Sequence, residues 1–139
     1  MQSDFIERAK HARTRVADIE KLPAAAAREY LSAVRALPAE IRAIGLGQAL
    51  ATLLNRSSRP TDGFARLYHH LEHWLMQRSY KGAVAAPPQL LAAVIGGSNA
   101  QYRHATAEAD AYLAVLKRLA EVFLSGRATG PAPAGEAGR

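Results

Sequence analysis

The fold is decided by the stretch from residue 62 to residue 79, DGFARLYHHLEHWLMQRS. Its large apolar side chains recur every three or four residues, which is the spacing of one face of an α-helix. They are Phe64, Leu67, Tyr68, Leu71, Trp74 and Leu75. This pattern predicts an amphipathic helix from about Asp62 to Ser79, with its apolar face packed against the rest of the chain.

The composition extends this prediction to the whole chain. Of the 139 residues, 49% are hydrophobic, 6% are aromatic and none is cysteine. A chain of this length can bury a core without metal or disulfide bonds, and the lack of cysteine excludes thiol catalysis and zinc–thiolate sites. We therefore expect one all-α domain at residues 1–126, a compact bundle of five or six helices, followed by a disordered Gly/Pro/Ala tail at residues 127–139.

Five further helices are predicted from proline, glycine and capping residues. The apolar stripes of the first and last of them include Phe5 and Phe123, and Ser98 with Gln101 makes a capping box. The predicted helices are Asp4 to Lys21, Pro23 to Leu37, Pro38 to Asn55, Pro88 to Ile95, and Ser98 to a stop at Gly126.

The helix predicted from Pro38 to Asn55 is apolar nearly all round, with Ile44 among the residues on one side. Two interpretations fit. The helix lies in the middle of the bundle, or its apolar stripe changes phase at Gly45 and Gly47, where a kink or a close helix contact is possible. We favour the central helix.

Basic residues dominate the charge. The 18 Lys and Arg against 12 Asp and Glu give a net charge of +6, which attracts polyanions and makes nucleic acid the first partner to consider. Basic residues on separate helices could converge into a groove that neutralises phosphates without reading bases. Alternatively, each is a solvated side chain whose stem covers apolar surface. The candidates are Arg42, Arg103, Lys117, Arg118 and Arg35.

Two of the histidines have the spacing of metal ligands on a helix. His69 and His73 lie one helical turn apart, with Glu72 between them, as in an inverted zinc-protease motif. The helical periodicity points both rings away from the apolar face, onto a convex surface, and no third ligand is evident. We expect a solvated or partner-facing histidine patch, with no bound metal or other cofactor.

No constellation of catalytic residues is recognised either. Glu108 and Asp110 are two residues apart and face different sides of their helix, so they do not form a carboxylate pair. We interpret them as surface charge or as partners of the nearby Arg103 and Lys117. No stretch approaches a membrane span and no signal pattern begins the chain, so we expect a cytoplasmic protein with no membrane contact.

Two stretches resemble a known family. The first is LPAEIRAIGLGQALA at residues 37–51, and the second is YRHATAEA at residues 102–109, continuing to LKRLA at residues 116–120. With the single Trp74 between them, they resemble the small helical subunit of the type III-B CRISPR effector, the Cmr complex. Ile44, Val115 and Leu119 depart from that family's pattern.

The resemblance implies a non-catalytic subunit that acts in antiviral defence. Members of this family stack in several copies into a minor filament beside the guide-RNA-bound backbone subunits, and they help to hold target RNA. RNA cleavage belongs to the backbone subunit, and nuclease or cyclic-nucleotide chemistry to the large subunit. Two alternatives remain open here: an assembly module that never touches RNA, and, more remotely, a metalloenzyme built on His69 and His73.

Overall fold

The computed structural model describes residues 2–128, with side chains from residue 4 to residue 126. Within this part of the chain the all-α prediction is confirmed, since it forms six helices and no strand. The helices are α1 (Gln2–Glu20), α2 (Ala24–Ile44), α3 (Leu46–Arg56), α4 (Gly63–Arg78), α5 (Gln89–Gly96) and α6 (Asn99–Ala128). None of them is long and apolar enough to cross a membrane. The tail predicted at residues 127–139 lies outside the described residues from 129 onward.

The longest helix, α6, packs against both α1 and α2. Its start is the predicted capping box, in which the Ser98 N–H donates to Gln101 Oε1 and the Gln101 N–H donates to Ser98 Oγ, at 2.9 and 3.1 Å. The helix continues to Ala128, two residues past the predicted stop at Gly126. Nothing lies within 4 Å of a Cβ placed at Gly126, so no close contact requires glycine there.

The stretch at residues 62–79 forms α4 as predicted. Asp62 caps the helix, because its Oδ1 accepts the Ala65 N–H at 2.9 Å. The first turn is pressed against α2: a Cβ on Gly63 would lie 2.4 Å from both the Ala26 oxygen and the Tyr30 nitrogen. The bare backbone of Gly63 therefore sets the distance between α2 and α4.

The boundary predicted at Pro38 is wrong. The α2 helix runs through Pro38, and the break lies at Gly45, whose φ of 89° and ψ of 158° end one helix and begin the next. An interior proline costs a helix about 3 kcal/mol, but Leu37 and Ile41 on either side of it are buried in the core and offset that cost. The favoured central helix is thus replaced by the alternative, a change of phase at Gly45.

Three residues predicted in apolar stripes lie outside the core. Ile44 is 44% exposed because α2 ends there, and Phe5 is 47% exposed near the start of α1. Phe123 is 39% exposed and its ring lies under the Arg13 guanidinium, 3.7 Å from the ring centroid, while Leu124 takes the buried position.

A polar network links α1, α4 and α6 through Glu108. Arg8 donates two hydrogen bonds to its carboxylate, at 2.8 and 3.1 Å, and Trp74 Nε1 donates a third at 2.7 Å. Burial alone would raise the pKa of Glu108, but the hydrogen bonds from Arg8 and Trp74 hold it below its usual value. The prediction that Glu108 pairs with Arg103 or Lys117 is therefore wrong, because its partners come from two other helices.

Replacing Glu108 with glutamine is expected to lower the free energy of unfolding by about 1.5 kcal/mol, the value of a charge-assisted hydrogen bond. Glutamine keeps an acceptor for Trp74 and loses the charge that Arg8 needs. Urea denaturation measures the loss. Asp110→Asn is the matched control on the same helix, since that side chain is 63% exposed and its substitution should cost no more than about 0.5 kcal/mol. Equal effects of the two substitutions would contradict this role for Glu108.

Histidine and tyrosine rings next to Trp74 extend this hydrogen-bond network. His11 forms hydrogen bonds with the Tyr112 hydroxyl through Nδ1 and with His73 Nδ1 through Nε2, the latter at 2.7 Å. Tyr112 in turn stacks on Trp74, with ring centroids 5.1 Å apart. Burial lowers the pKa of His11 to about 4, and the charge of Arg15 adds to the shift. His11 is therefore neutral in this network at neutral pH.

Candidate nucleic-acid interface

The candidate interface lies where α2 and α6 run side by side. Arg42 pairs with Asp110 and Arg35 pairs with Glu121, so residue numbers fall along α2 as they rise along α6. The two helices are therefore antiparallel. We call the exposed line between them the α2/α6 seam.

Two of the five predicted phosphate contacts meet at one end of this seam. Arg42 from the last turn of α2 and Arg103 from the first turns of α6 line the same open groove of about 470 Å³. Ile41, Tyr102 and Ala107 form its apolar part. Both arginines are exposed, so their guanidinium groups are accessible to a bound anion.

The other three predicted contacts are spread along the molecule. Arg35 lies toward the far end of the seam, where its Nε donates to Glu121 Oε2 at 2.9 Å. Lys117 is half-buried, and it follows Asp110 by seven residues, so it lies on the same side of α6. Arg118 is exposed and about 100° further round the helix, which takes it away from the seam.

Carboxylates already neutralise part of the seam. Arg42 Nη1 lies 4.0 Å from Asp110 Oδ1, and both side chains are 63% exposed. Exposed pairs of this kind contribute at most about 1 kcal/mol, so a phosphate can replace the carboxylate as the partner of the guanidinium. Arg103 and Lys117 form no ion pair with any residue that the structure describes.

The backbone between α2 and α3 is shaped by Tyr102. The Gly47 N–H donates to the Tyr102 hydroxyl at 3.2 Å, which satisfies one of the free donors at the start of α3. A Cβ on Gly45 would lie 3.0 Å from the same hydroxyl oxygen, and its positive φ already favours glycine. The two motifs that carry the family resemblance, residues 37–51 and 102–109, thus meet at the groove that holds Arg42 and Arg103.

An apolar groove of about 440 Å³ adjoins this end of the seam, on the other side of Tyr102. Its lining includes Ile44 and Ile95, which are 44% and 75% exposed. Exposed side chains of this size, next to one another and beside polar groups, are typical of surfaces that contact another protein.

The histidines are arranged differently from the convex patch that was predicted. His69 and His73 are exposed as expected, but they line an open groove between α1 and α4. His70 is buried, and its Nδ1 shares a hydrogen bond with the Tyr30 hydroxyl at 2.7 Å. Among the described residues, no group of three His, Cys, Asp or Glu side chains is placed to hold a metal ion.

The family comparison agrees with this architecture. A family model described as "CRISPR-associated protein (Cas_Cmr5)" matches residues 6–123, which is most of the chain and all but the ends of α1 and α6. Searches of curated proteins and of solved structures found no match. The family match thus confirms the resemblance seen in the two sequence motifs. This chain belongs to the Cmr5 family, the small subunits of type III-B CRISPR Cmr complexes.

Proposed function

We propose that this chain is a non-catalytic subunit that stacks in several copies within a Cmr complex and helps to hold target RNA by contacts to its phosphates. The contacts are made along the α2/α6 seam, with Arg42 and Arg103 as the principal groups and Lys117 and Arg35 as further contributors, while Arg118 adds positive charge on the neighbouring face of α6. The role is part of a guide-RNA-directed antiviral defence, and its partners are the backbone and large subunits and copies of this chain.

The observation that carries the proposal is the shared groove of Arg42 and Arg103. Two guanidinium groups on different helices, both exposed and on one open surface, can each bind a phosphate oxygen pair. Apart from the two guanidinium groups and the Asp110 carboxylate that pairs with Arg42, the groove walls are mostly apolar, so binding there depends on the phosphate backbone and carries no base preference. The net charge of +6 adds a long-range attraction for RNA.

Charge reversal tests this directly. The double variant Arg42→Glu, Arg103→Glu, assembled into the Cmr complex, is expected to weaken target-RNA retention by at least about tenfold, equally for unrelated RNA sequences. The dependence of log K on log salt concentration should become shallower by about two, because two phosphate contacts are lost. Filter binding at several salt concentrations measures both quantities.

The matched control is Lys21→Glu with Arg59→Glu, which changes the net charge equally at two exposed cations in the loops after α1 and α3, outside the seam. A loss of RNA retention equal to that of the control would show a general charge effect and reject the groove. Incorporation of each variant into the complex is checked by co-purification, so that a defect in assembly is told apart from a defect in binding.

A second candidate function is assembly without RNA contact, and the apolar groove beside Ile44 and Ile95 favours it. Crosslinking of bound target RNA separates the two functions. If the seam holds RNA, crosslinks form to residues 102–110 in the assembled complex; if the chain serves assembly alone, crosslinks form only to the other subunits.

A further inference from the structure

A chain of hydrogen bonds runs from the surface of α4 through α1 to the interior of α6. His73 on α4 is exposed, His11 on α1 is half-buried and Tyr112 on α6 is buried. His11 Nε2 lies 2.7 Å from His73 Nδ1, and His11 Nδ1 forms a hydrogen bond with the Tyr112 hydroxyl. The proposed function makes no use of these two histidines.

The two imidazole rings meet nitrogen to nitrogen, in line. Their planes are inclined by 27° and their centroids are 4.9 Å apart. This is close to the greatest separation that a 2.7 Å contact between ring nitrogens allows, because each nitrogen then lies on the line between the two ring centres. The lone pair of a ring nitrogen points along that line, so one hydrogen fits between His11 and His73 as N–H···N.

The same distance distinguishes a proton from a metal ion. A zinc ion between two in-line ring nitrogens would need them about 4 Å apart, since each Zn–N bond is about 2.0 to 2.1 Å long. The 2.7 Å between His11 Nε2 and His73 Nδ1 lies within the range of hydrogen bonds. This contact is therefore a site for a proton.

The pair of His11 and His73 can carry one added proton but not two. In the neutral pair, one of the two facing nitrogens donates and the other accepts. With one proton added, an imidazolium donates to an imidazole, and the charge strengthens the hydrogen bond. With a second proton, both facing nitrogens carry a hydrogen, no acceptor remains and two positive charges oppose each other. The rings must then separate.

The surroundings of His11 make it the acceptor of the pair. Burial lowers the pKa of His11 to about 4, and the positive charge of Arg15, one turn further along α1, adds to the shift. A neutral His11 that accepts at Nε2 carries its own hydrogen on Nδ1, from which it donates to the Tyr112 hydroxyl. The second proton therefore goes to His11, at a pH near 4.

Charged groups next to the pair are already matched with one another. Glu7 on α1 accepts a hydrogen bond from Arg78 on α4 at 2.6 Å. Arg8 on α1 donates to Glu108 on α6 at 2.8 Å. Each of these ion pairs is close to neutral as a unit, so neither changes the number of protons that the two rings can share.

The groove that His73 lines holds the remaining ionisable groups. Burial lowers the pKa of His70 to about 3, so this ring is neutral wherever the pair carries one added proton. His69 is exposed, and its Nδ1 lies 3.6 Å from Glu72 Oε1. Arg66 opposes a further positive charge, whereas Asp18 and Glu72 favour it. These charges influence the pH at which the second proton binds, and the need for separation stays the same.

We propose that the contact between His11 and His73 is a pH-sensitive switch that holds α1 on α4 while the pair carries at most one added proton, and opens when the pair binds a second. The hydrogen bonds from Arg8 to Glu108 keep α1 on α6, so the opening is confined to the groove between α1 and α4. The switch is independent of the α2/α6 seam. It is testable on the full chain alone, and its failure leaves the proposed function untouched.

Nuclear magnetic resonance of the chain labelled with ¹⁵N-histidine, titrated from about pH 7.5 to about pH 3.5, follows both rings directly. We expect His11 to carry its hydrogen on Nδ1 at the upper end. The nuclear Overhauser contact between the His11 and His73 rings should disappear with the midpoint of His11 protonation, near pH 4. Contacts between Trp74 and Tyr112, which stack across α4 and α6, should persist. A histidine contact that survives protonation of His11 overturns the proposal, and so does loss of the Trp74 contacts at the same pH.

His73→Ala tests the pairing with one exposed substitution. The midpoint of His11 protonation should rise by about one pH unit, because the donor to Nε2 and the opposing charge are both removed. His69→Ala, the matched control one turn earlier on α4, should move it by less than half as much. Equal shifts in the two variants contradict the switch.

A double-mutant cycle of His11→Ala with His73→Ala measures the contact itself at pH 7. We expect a coupling of about fivefold in the equilibrium constant for unfolding, the value of one hydrogen bond. The cycle of His11→Ala with His69→Ala should give less than about twofold. Equal coupling in the two cycles overturns the proposal, and the midpoint measured in His73→Ala decides the matter if His11→Ala folds poorly.

Discussion

Substitution of Gly63 by alanine is expected to lower the free energy of unfolding by about 3 kcal/mol, the upper end of the usual cost of overpacking. The added methyl group would lie 2.4 Å from two backbone atoms of α2, the Ala26 oxygen and the Tyr30 nitrogen. Backbone atoms of a helix cannot rotate aside as a side chain can, so α4 must move away from α2. That movement would also strain the hydrogen bond from the Gly63 N–H to Glu29 Oε1, now 2.9 Å.

The matched control is Gly126→Ala in α6, where nothing lies within 4 Å of the new Cβ. Alanine there should stabilise the chain by about 0.5 to 1 kcal/mol, because it restricts the unfolded backbone. Urea denaturation followed by circular dichroism compares the two variants. If Gly63→Ala were as stable as wild type, the close approach of α2 and α4 would be wrong.

Acidification from pH 7 to pH 5 is expected to remove about 2 kcal/mol of stability through His70 alone. In the unfolded chain this imidazole takes up a proton below its ordinary pKa of 6.5, whereas burial in the folded chain lowers the pKa to about 3. Between these values the unfolded state binds more protons, so the free energy of unfolding rises with pH. The contribution of His70 is fully present only above a pH of about 6.5. His11, with a pKa lowered to about 4, acts in the same direction.

The measurement is urea denaturation at pH 7 and at pH 5, a range that lies above the titration of most carboxylates. His70→Gln should remove about half of the difference between the two pH values and leave the share due to His11, since an amide can still pair with the Tyr30 hydroxyl and carries no proton equilibrium. His69→Gln is the control, because the neighbouring ring is 59% exposed and loses little hydration on folding. An unchanged acid dependence in His70→Gln would contradict the assignment.

The parts of the fold that could be predicted are those in which neighbours in sequence determine the structure. The stripe of α4 and the capping box of Ser98 with Gln101 each lie within a few residues, and both were confirmed. The boundary predicted at Pro38 was wrong because the free-energy cost of a proline inside a helix is smaller than the free energy gained by burying Leu37 and Ile41. That burial depends on helices far away in the chain.

The candidate interface could be predicted only in part. Positive charge made Arg42 and Arg103 candidates, and their shared groove follows from the pairing of α2 with α6, which no local pattern contains. The partners of Glu108 were missed for the same reason, since Arg8 lies 100 residues away. The Nε atoms of Arg15 and Arg66 are buried with no hydrogen bond to any described residue, and no sequence pattern predicts this, because burial of a donor depends on what packs around it.

The length of α6, the last and longest helix, fixes which of its residues face each position of α2. With 30 residues at about 1.5 Å each, α6 spans roughly 45 Å and fixes Asp110 and Glu121 against successive positions of α2. Inserting one residue between them would turn everything downstream by about 100° and break register with two neighbouring helices at once. Changes of length in this helix are therefore tolerable only in units close to seven residues, which return each side chain to its original face.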